Sequence, residues 1–315
     1  MLAHRLLFLD LGCYDGKVYV FNRFTGKTLW TFQTGAAVKS SPCVDPQTGV
    51  AWVGSHDHHL YALDVTNKQC VCAVHCGGGS CFSSPCISKE PYLVFIATLT
   101  GRLLAVDPAE HTILWSQQCP KPVFASPSLT PTGIVCACVD GSVYCFDFQG
   151  VQLWQFQAYG SVFSSPTYVG ADLNSTSSDY LGNIVFGSHD KSVYCLSLKG
   201  ELQWSFTTDG HVYSTPFVAE INANHLTTCR VARHALFCGK RDAGMAVFVW
   251  STLGTLYVLD LHSGVRLASY SLPGEVFSSP VVVDNRLLIG CRNDYLYSLG
   301  ISKESETKKF LKSHV

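Results

Sequence analysis

The chain has 315 residues, 47% of them apolar and 14% charged, with a formal charge of −1 at neutral pH. Basic residues are scattered along it, which excludes a surface positive enough to hold nucleic acid. That length fits one large all-β domain better than several small ones.

Taken in chain order, the sequence repeats itself. The first copy, residues 1–35, runs from Leu6–Leu11 into GCYDGKVYVFNRFTGKTLW, with Asp15-Gly16 as a hairpin turn and Trp30 closing the unit. No Ser-Ser-Pro segment precedes it, so this blade is expected to be incomplete. The second copy, 36–79, opens at VKSSP (Pro42), continues through WVGSHDHHLYALD with Asp57 in the turn, and ends in KQCVC, where Cys72 stands in the tryptophan position. The third, 80–121, opens at CFSSP (Pro85) and closes on Trp115. The fourth, 122–160, opens at VFASP (Pro127), turns at Asp140-Gly141 and closes on Trp154.

The fifth copy, 161–210, shows the whole repeat: VFSSP (Pro166), an insert, then IVFGSHDKSVYCLSLKGELQW with Asp190 in the turn and Trp204 at the end. The sixth, 211–274, opens at VYSTP (Pro216) and is irregular. It carries a long insert over 224–250 with Arg230, Arg233, Lys240 and Arg241, has Leu253 in the aspartate position and Ala268 in the tryptophan position. The seventh, 275–301, opens at VFSSP (Pro280) and runs LLIGCRNDYLYSL. A polar tail, 302–315, is expected to be disordered or loosely docked.

Proline spacings of 43, 42, 39, 50 and 64 residues state the period, the two long intervals falling where the inserts are. Each copy predicts four antiparallel strands. Small residues and a proline suit the innermost strand of a radial sheet. Two short β-branched and aromatic runs follow, joined by a polar hairpin. An alternating outer strand then offers a large indole to the neighbouring sheet. Such a unit cannot cover both its own faces and must stack on others, which predicts a β-propeller of about seven four-stranded blades.

FSSP, G-x-x-D-G-x-V-Y and T-G-x-x-x-W at this period resemble the pyrroloquinoline quinone (PQQ)-like repeats of quinoprotein-type propellers. More narrowly, GCYDGKVYVF, AVKSSPCVDPQTG, GSHDHHLYALD, PGEVFSSPVV and GCRNDYLYSL resemble the C-terminal propeller of beta-alanine-activating enzymes of the acyl-CoA synthetase family. The resemblance implies a parent polypeptide that activates beta-alanine with ATP and loads it onto a phosphopantetheine carrier. The phosphate loop and carrier serine of that chemistry have no positions in this sequence. ATP and phosphopantetheine would act only through adenylation and carrier domains outside it, and those domains or another protein are the expected partners. No catalytic, cofactor-binding or metal-binding residue is therefore assigned. The expected function is a non-catalytic scaffold or interaction domain.

The alternative is a PQQ-dependent oxidoreductase. Such enzymes hold the quinone under an adjacent-cysteine disulfide, and no Cys-Cys dipeptide occurs in this sequence. His56 and His58 would point the same way in an extended segment, as two metal ligands need, yet His189-Asp190 fills the same slot in another copy, which favours a turn capped by its aspartate. Cys70-x-Cys72 and Cys136-x-Cys138 place two thiols on one strand face without the paired Cys-x-x-Cys of a zinc site. Fifteen cysteines, an odd number, read as reduced small hydrophobes, as at Cys145 and Cys195. Trp30, Trp115, Trp154 and Trp204 are expected to seal blade to blade, while Asp15, Gly16, Asp57, Asp140, Gly141 and Asp190 form turns and the six prolines serve the inner strands. The basic insert is either an uninformative loop or a dock for an acidic or phosphate-bearing ligand. The apolar run before Asp10 is too short for a signal sequence and no run is long enough to span a membrane, so a soluble, cytoplasmic protein with no membrane partner is expected. The Asn174-Ser175-Thr176 sequon would count only in a secreted chain.

Overall fold

The computed structural model describes residues 8–170, 182–221, 244–283, 286–300 and 308–310. Its strands form seven antiparallel sheets, each built from consecutive strands. The first sheet holds β1 (Phe8–Gly12), β2 (Lys17–Asn22) and β3 (Thr28–Gln33); the second β4 (Cys43–Val44), β5 (Ala51–Gly54), β6 (His59–Asp64) and β7 (Gln69–His75). The third holds β8 (Cys86–Lys89), β9 (Tyr92–Ala97), β10 (Arg102–Asp107) and β11 (Thr112–Gln118); the fourth β12 (Ser128–Thr130), β13 (Gly133–Ala137), β14 (Ser142–Phe146) and β15 (Gln152–Gln157). The fifth holds β16 (Thr167–Gly170), β17 (Gly182–Gly187), β18 (Ser192–Ser197) and β19 (Leu202–Thr207). The sixth holds β20 (Phe217–Ile221), β21 (Gly244–Trp250), β22 (Thr255–Asp260) and β23 (Arg266–Ser271); the seventh β24 (Val281–Val283), β25 (Arg286–Cys291), β26 (Tyr295–Gly300) and β27 (Lys308–Phe310). The fold is an all-β, seven-bladed propeller whose first blade has three strands.

Burial explains why the repeat reads as it does. The second and third strands of a sheet are covered on both faces, so β13 and β14 are buried at every position and their sequences are unbroken apolar runs. The fourth strand is covered on one face, and β11 alternates exposed and half-buried residues along its length.

Two compact units divide the chain, residues 1–155 and 156–315. In the first unit the core lies between successive sheets. Val18 and Val20 meet Val53 and Leu63; Trp52 and Leu60 meet Ile96 and Leu104; Phe95 and Leu103 meet Ile134 and Cys136. The second unit repeats the arrangement, with Val185 and Cys195 against Val247 and Tyr257, and Phe248 and Trp250 against Leu287 and Tyr297. Each fully buried side chain of this size stabilises by about 1.5–3 kcal/mol, so the seams carry the fold.

Three expectations need correcting. The prolines Pro42, Pro85, Pro127, Pro166, Pro216 and Pro280 stand one residue ahead of β4, β8, β12, β16, β20 and β24, and not within those strands. Their missing N–H therefore falls outside the ladder altogether. Within the polar tail, Lys308–Phe310 pairs antiparallel with β26 as the fourth strand of the seventh sheet, Phe310 opposite Leu296. Ladder hydrogen bonds explain how so polar a segment joins a sheet. The sequon and the basic insert up to residue 243, including Arg230, Arg233, Lys240 and Arg241, lie outside the described residues, and Gly244–Trp250, read in the sequence as the end of that insert, is strand β21.

Candidate functional site

The recurring aspartates sit in the hairpin between the second and third strands. In each case the carboxylate accepts the N–H two residues on: Lys17 for Asp15, His59 for Asp57, Ser142 for Asp140 and Ser192 for Asp190, at 2.8–3.1 Å. Three of them also accept the hydroxyl of a tyrosine four residues on, Tyr19 at 2.6 Å and Tyr61 and Tyr194 at 2.7 Å. Asp57 and Asp190 take a third bond from the preceding repeat, the N–H of Gly35 at 2.6 Å and of Tyr159 at 3.0 Å. Burial alone would raise the Asp57 carboxyl, but hydrogen bonds from Tyr61, Gly35, His59 and Ser55 outweigh it and hold it below the ordinary value. The sixth sheet has Leu253 in this position, and Asp209 takes over, accepting the Thr255 hydroxyl at 2.7 Å while its own N–H donates to Tyr257 Oη at 3.1 Å.

Serines of the Ser-Ser-Pro motif hydrogen-bond in two directions. The first serine bonds the last residue of its own second strand: Ser83 Oγ donates to the Ala97 carbonyl at 2.9 Å and accepts its N–H at 3.0 Å, and Ser214 does the same at Trp250. The second serine links sheets. Ser41 N–H donates to Ser84 Oγ at 2.8 Å, Ser84 N–H to Ser126 Oγ at 2.9 Å, and, in the second unit, Thr215 N–H to Ser279 Oγ at 2.8 Å. A small hydroxyl suits either bond at so close an approach, and serine or threonine fills these positions except at Ala125.

Indoles of the tryptophan slot reach the next sheet. Trp115 Nε1 donates to the Phe148 carbonyl at 2.9 Å and Trp204 Nε1 to the Leu261 carbonyl at 2.8 Å. Both rings lie on a turn glycine of that sheet: a Cβ on Gly150 or Gly264 would come within 2.8 or 2.6 Å of the indole. Trp30 packs with Val20, Val53 and Val65, and Trp154 is half-buried. Just before the tryptophan slot a β-bulge recurs, at Val20/Phe21, Ala62/Leu63, Ala105/Val106 and Cys195/Leu196. It turns the indole into the seam.

The same bulge undoes one thiol pairing. Cys70 pairs with Leu63 and Cys72 with Ala62, adjacent residues that face opposite sides, so the two thiols do not share a face. Burial pushes the Cys72 thiol up to about 11. Cys136 and Cys138 are both fully buried and pack in the core with Cys119. Every described cysteine is a free thiol. His56 and His58 lie in a turn and not in an extended segment, His58 with a φ of 74°. Among the described residues no group of three His, Cys, Asp or Glu side chains could hold a metal ion.

What the motifs leave exposed is aromatic. The residue before the first motif position, a serine except for Ala125 in the fourth copy, is Phe82, Phe124, Phe163, Tyr213 or Phe277 in five copies and Lys39 in another. In the second unit these rings run in a row: Phe163 to Tyr213 and Tyr213 to Phe277, each 5.2 Å between centroids. His189 stands against Tyr213 at 4.2 Å and stacks on His211 at 4.8 Å and 27°, while the Arg292 guanidinium lies 4.8 Å over Phe277. His211 Nδ1–H donates to the His189 carbonyl. His189 Nε2 is buried and has no partner among the described residues. Burial, and secondarily His211, push the His189 pKa below its ordinary value. In the first unit Lys39 Nζ lies 5.3 Å over Phe82, which meets Phe124 at 5.2 Å.

Residues 7–301 match the family model described as the beta-propeller of beta-alanine-activating enzyme. The chain belongs to this family. Beta-alanine-activating enzyme of Drosophila melanogaster is 27% identical over 305 residues, 92% of this chain and 28% of that protein. The Danio rerio protein of the same name is 38% identical over 245 residues, 71% of this chain and 15% of its own length. The chain thus spans less than a third of the curated relatives it matches. The crystal structure of BamB from Moraxella catarrhalis is similar at a TM-score of 0.70 and 16% identity, covering 96% of this chain and 85% of that one, a likeness of fold alone.

The indoles of the tryptophan slot have structural partners where the described residues show them. Those of Trp115 and Trp204 are held edge and face in the seams. The aromatic row and the serine-to-serine bonds went unread in the sequence, although an aromatic column next to Ser-Ser-Pro was visible once the copies were aligned. Among the described residues no helix is long and apolar enough to cross a membrane.

Proposed function

We propose that this chain is the non-catalytic interaction domain of a beta-alanine-activating, adenylate-forming polypeptide acting in the cytoplasm. The observation that carries this reading is how the repeated polar side chains are spent. Turn aspartates and motif serines are engaged in holding strands and sheets together, while the row of Phe163, Tyr213 and Phe277 with His211 is left partly open to solvent. Rigid aromatic side chains with a polar fringe are the usual makings of a protein-binding surface. The partner proposed for this row is the phosphopantetheine carrier domain of the parent polypeptide.

Three measurements test this. The isolated chain incubated with ATP, beta-alanine and labelled pyrophosphate is expected to show no exchange; measurable exchange overturns the non-catalytic reading. Titrating an isotope-labelled carrier domain with the chain is expected to give saturable binding, weakened about tenfold or more by Tyr213→Ala at an unchanged melting temperature. Equal binding by the variant overturns this choice of surface. Adding PQQ with calcium is expected to leave the tryptophan fluorescence as it was, and quenching would return the oxidoreductase reading.

A further inference from the structure

Among the described residues the first sheet has three strands where the other six have four. Six sheets carry a first strand beside the equivalents of β1, whereas among the described residues nothing pairs with the far edge of β1. Such an edge presents a row of unpaired N–H and C=O groups, ready to take another strand.

Register shows what is missing there. Gly12 lies opposite Val18 just as Gly54 lies opposite Leu60, Ala97 opposite Leu103 and Gly187 opposite Val193. In those three sheets the N–H at this position donates to the first motif serine, Ser40 at 3.1 Å, Ser83 at 3.0 Å and Ser164 at 3.1 Å. Gly12 has no such serine in its sheet. A second vacancy lies beside it. Ser84 and Ser126 hydroxyls each accept the N–H of the second motif serine one sheet earlier. Ser41 is the preceding member of that series, and its hydroxyl accepts no N–H from a described residue. The two vacancies adjoin, since a Cβ on Gly12 would stand 2.6 Å from Val38 Cγ1 and 2.8 Å from the Ser40 carbonyl oxygen. One extended segment would fill both.

We propose that the free edge of β1 binds an extended segment of the chain's own type, an apolar residue followed by aromatic, Ser, Ser or Thr, and Pro, which completes the first sheet as an antiparallel fourth strand. Its first serine hydroxyl accepts Gly12 N–H, and the N–H of the next residue donates to Ser41 Oγ. Main-chain pairing supplies affinity and the two serine positions supply selectivity, as in strand addition elsewhere. The occupant is a segment of the longer parent polypeptide, because the matched relatives carry far more chain than this one and tethering gives such a segment a high effective concentration.

The test uses the 315-residue protein and a synthetic peptide copying Val162–Val169, VFSSPTYV. Saturating peptide is expected to slow hydrogen exchange at Asp10 and Gly12, whose N–H groups face the free edge, about tenfold or more, and to leave Leu11 unchanged. Ser41→Ala is expected to weaken peptide binding about fivefold, the worth of one hydrogen bond. Equal protection by a scrambled peptide, or none at millimolar peptide, overturns the proposal. In the full-length parent protein, Gly12 is expected to be protected without peptide; exchange there as fast as in the isolated chain overturns the tethered source. Protection that rises with concentration of the isolated chain would assign the edge to a second copy and overturn it as well.

Discussion

At the scale of single residues, the hairpin after each second strand needs a left-handed residue in one place. Gly16, Gly101, Gly141 and Gly254 hold it with φ of 83–92°, and His58, Lys191 and Asp294 hold it with φ of 66–74°. A side chain there costs roughly 1–2 kcal/mol. Lys191→Gly is therefore expected to raise stability by up to about 1 kcal/mol, after the extra chain entropy of glycine, and Gly141→Ala to lower it by about 1–2 kcal/mol. Urea midpoints at unchanged slope would read both; a Lys191→Gly midpoint below that of the parent would rule out strain at this turn. The Asp-Gly dipeptides made these turns legible in sequence. What they hid is that Asp57 and Asp190 also clasp the preceding repeat, because that contact joins residues 22 and 31 positions apart.

At the scale of the strand, the tryptophans divide into two kinds. Trp204, 8% exposed, has its Nε1–H bonded across the seam, whereas Trp250, fully buried, has an Nε1 with no partner among the described residues. Trp204→Ala is expected to cost about 3–5 kcal/mol. Trp204→Phe also strands the Leu261 carbonyl and should cost about 1 kcal/mol more than Trp250→Phe, which loses no hydrogen bond. Thermal melts of the two Phe variants decide it, and equal losses would mean that the Leu261 bond contributes nothing. Trp250 was not legible as a seam residue, because its position holds Gly12, Gly54, Gly187 or Gly290 in other sheets, and at the first three of these small size lets the next repeat approach. Burial of a large ring against Val276, Leu287 and Ile289 is a tertiary fact that no local pattern carries.

At the scale of the molecule, the period of the repeat made seven sheets legible, since each copy has apolar faces it cannot cover alone. It missed β27, whose polar residues carry no strand signal and join through backbone bonds. The distribution of buried titratable groups predicts how the fold answers to acid. Burial first, then Lys39 and His58, lower His56 below its ordinary 6.5, and burial and His211 lower His189. A histidine depressed in the folded state is protonated first in the unfolded chain, so the unfolded state binds more protons below about pH 6.5 and stability falls as pH drops. Hydrogen bonds that outweigh burial lower Asp57 and Asp209 from 3.8, so a second loss begins below that value. Urea midpoints taken from about pH 8 to 3 are expected to fall in two steps. His56→Gln with His189→Gln should remove the upper step and leave the lower one; a parent curve flat between about pH 7 and 5 would show that these imidazoles are not held neutral by the fold.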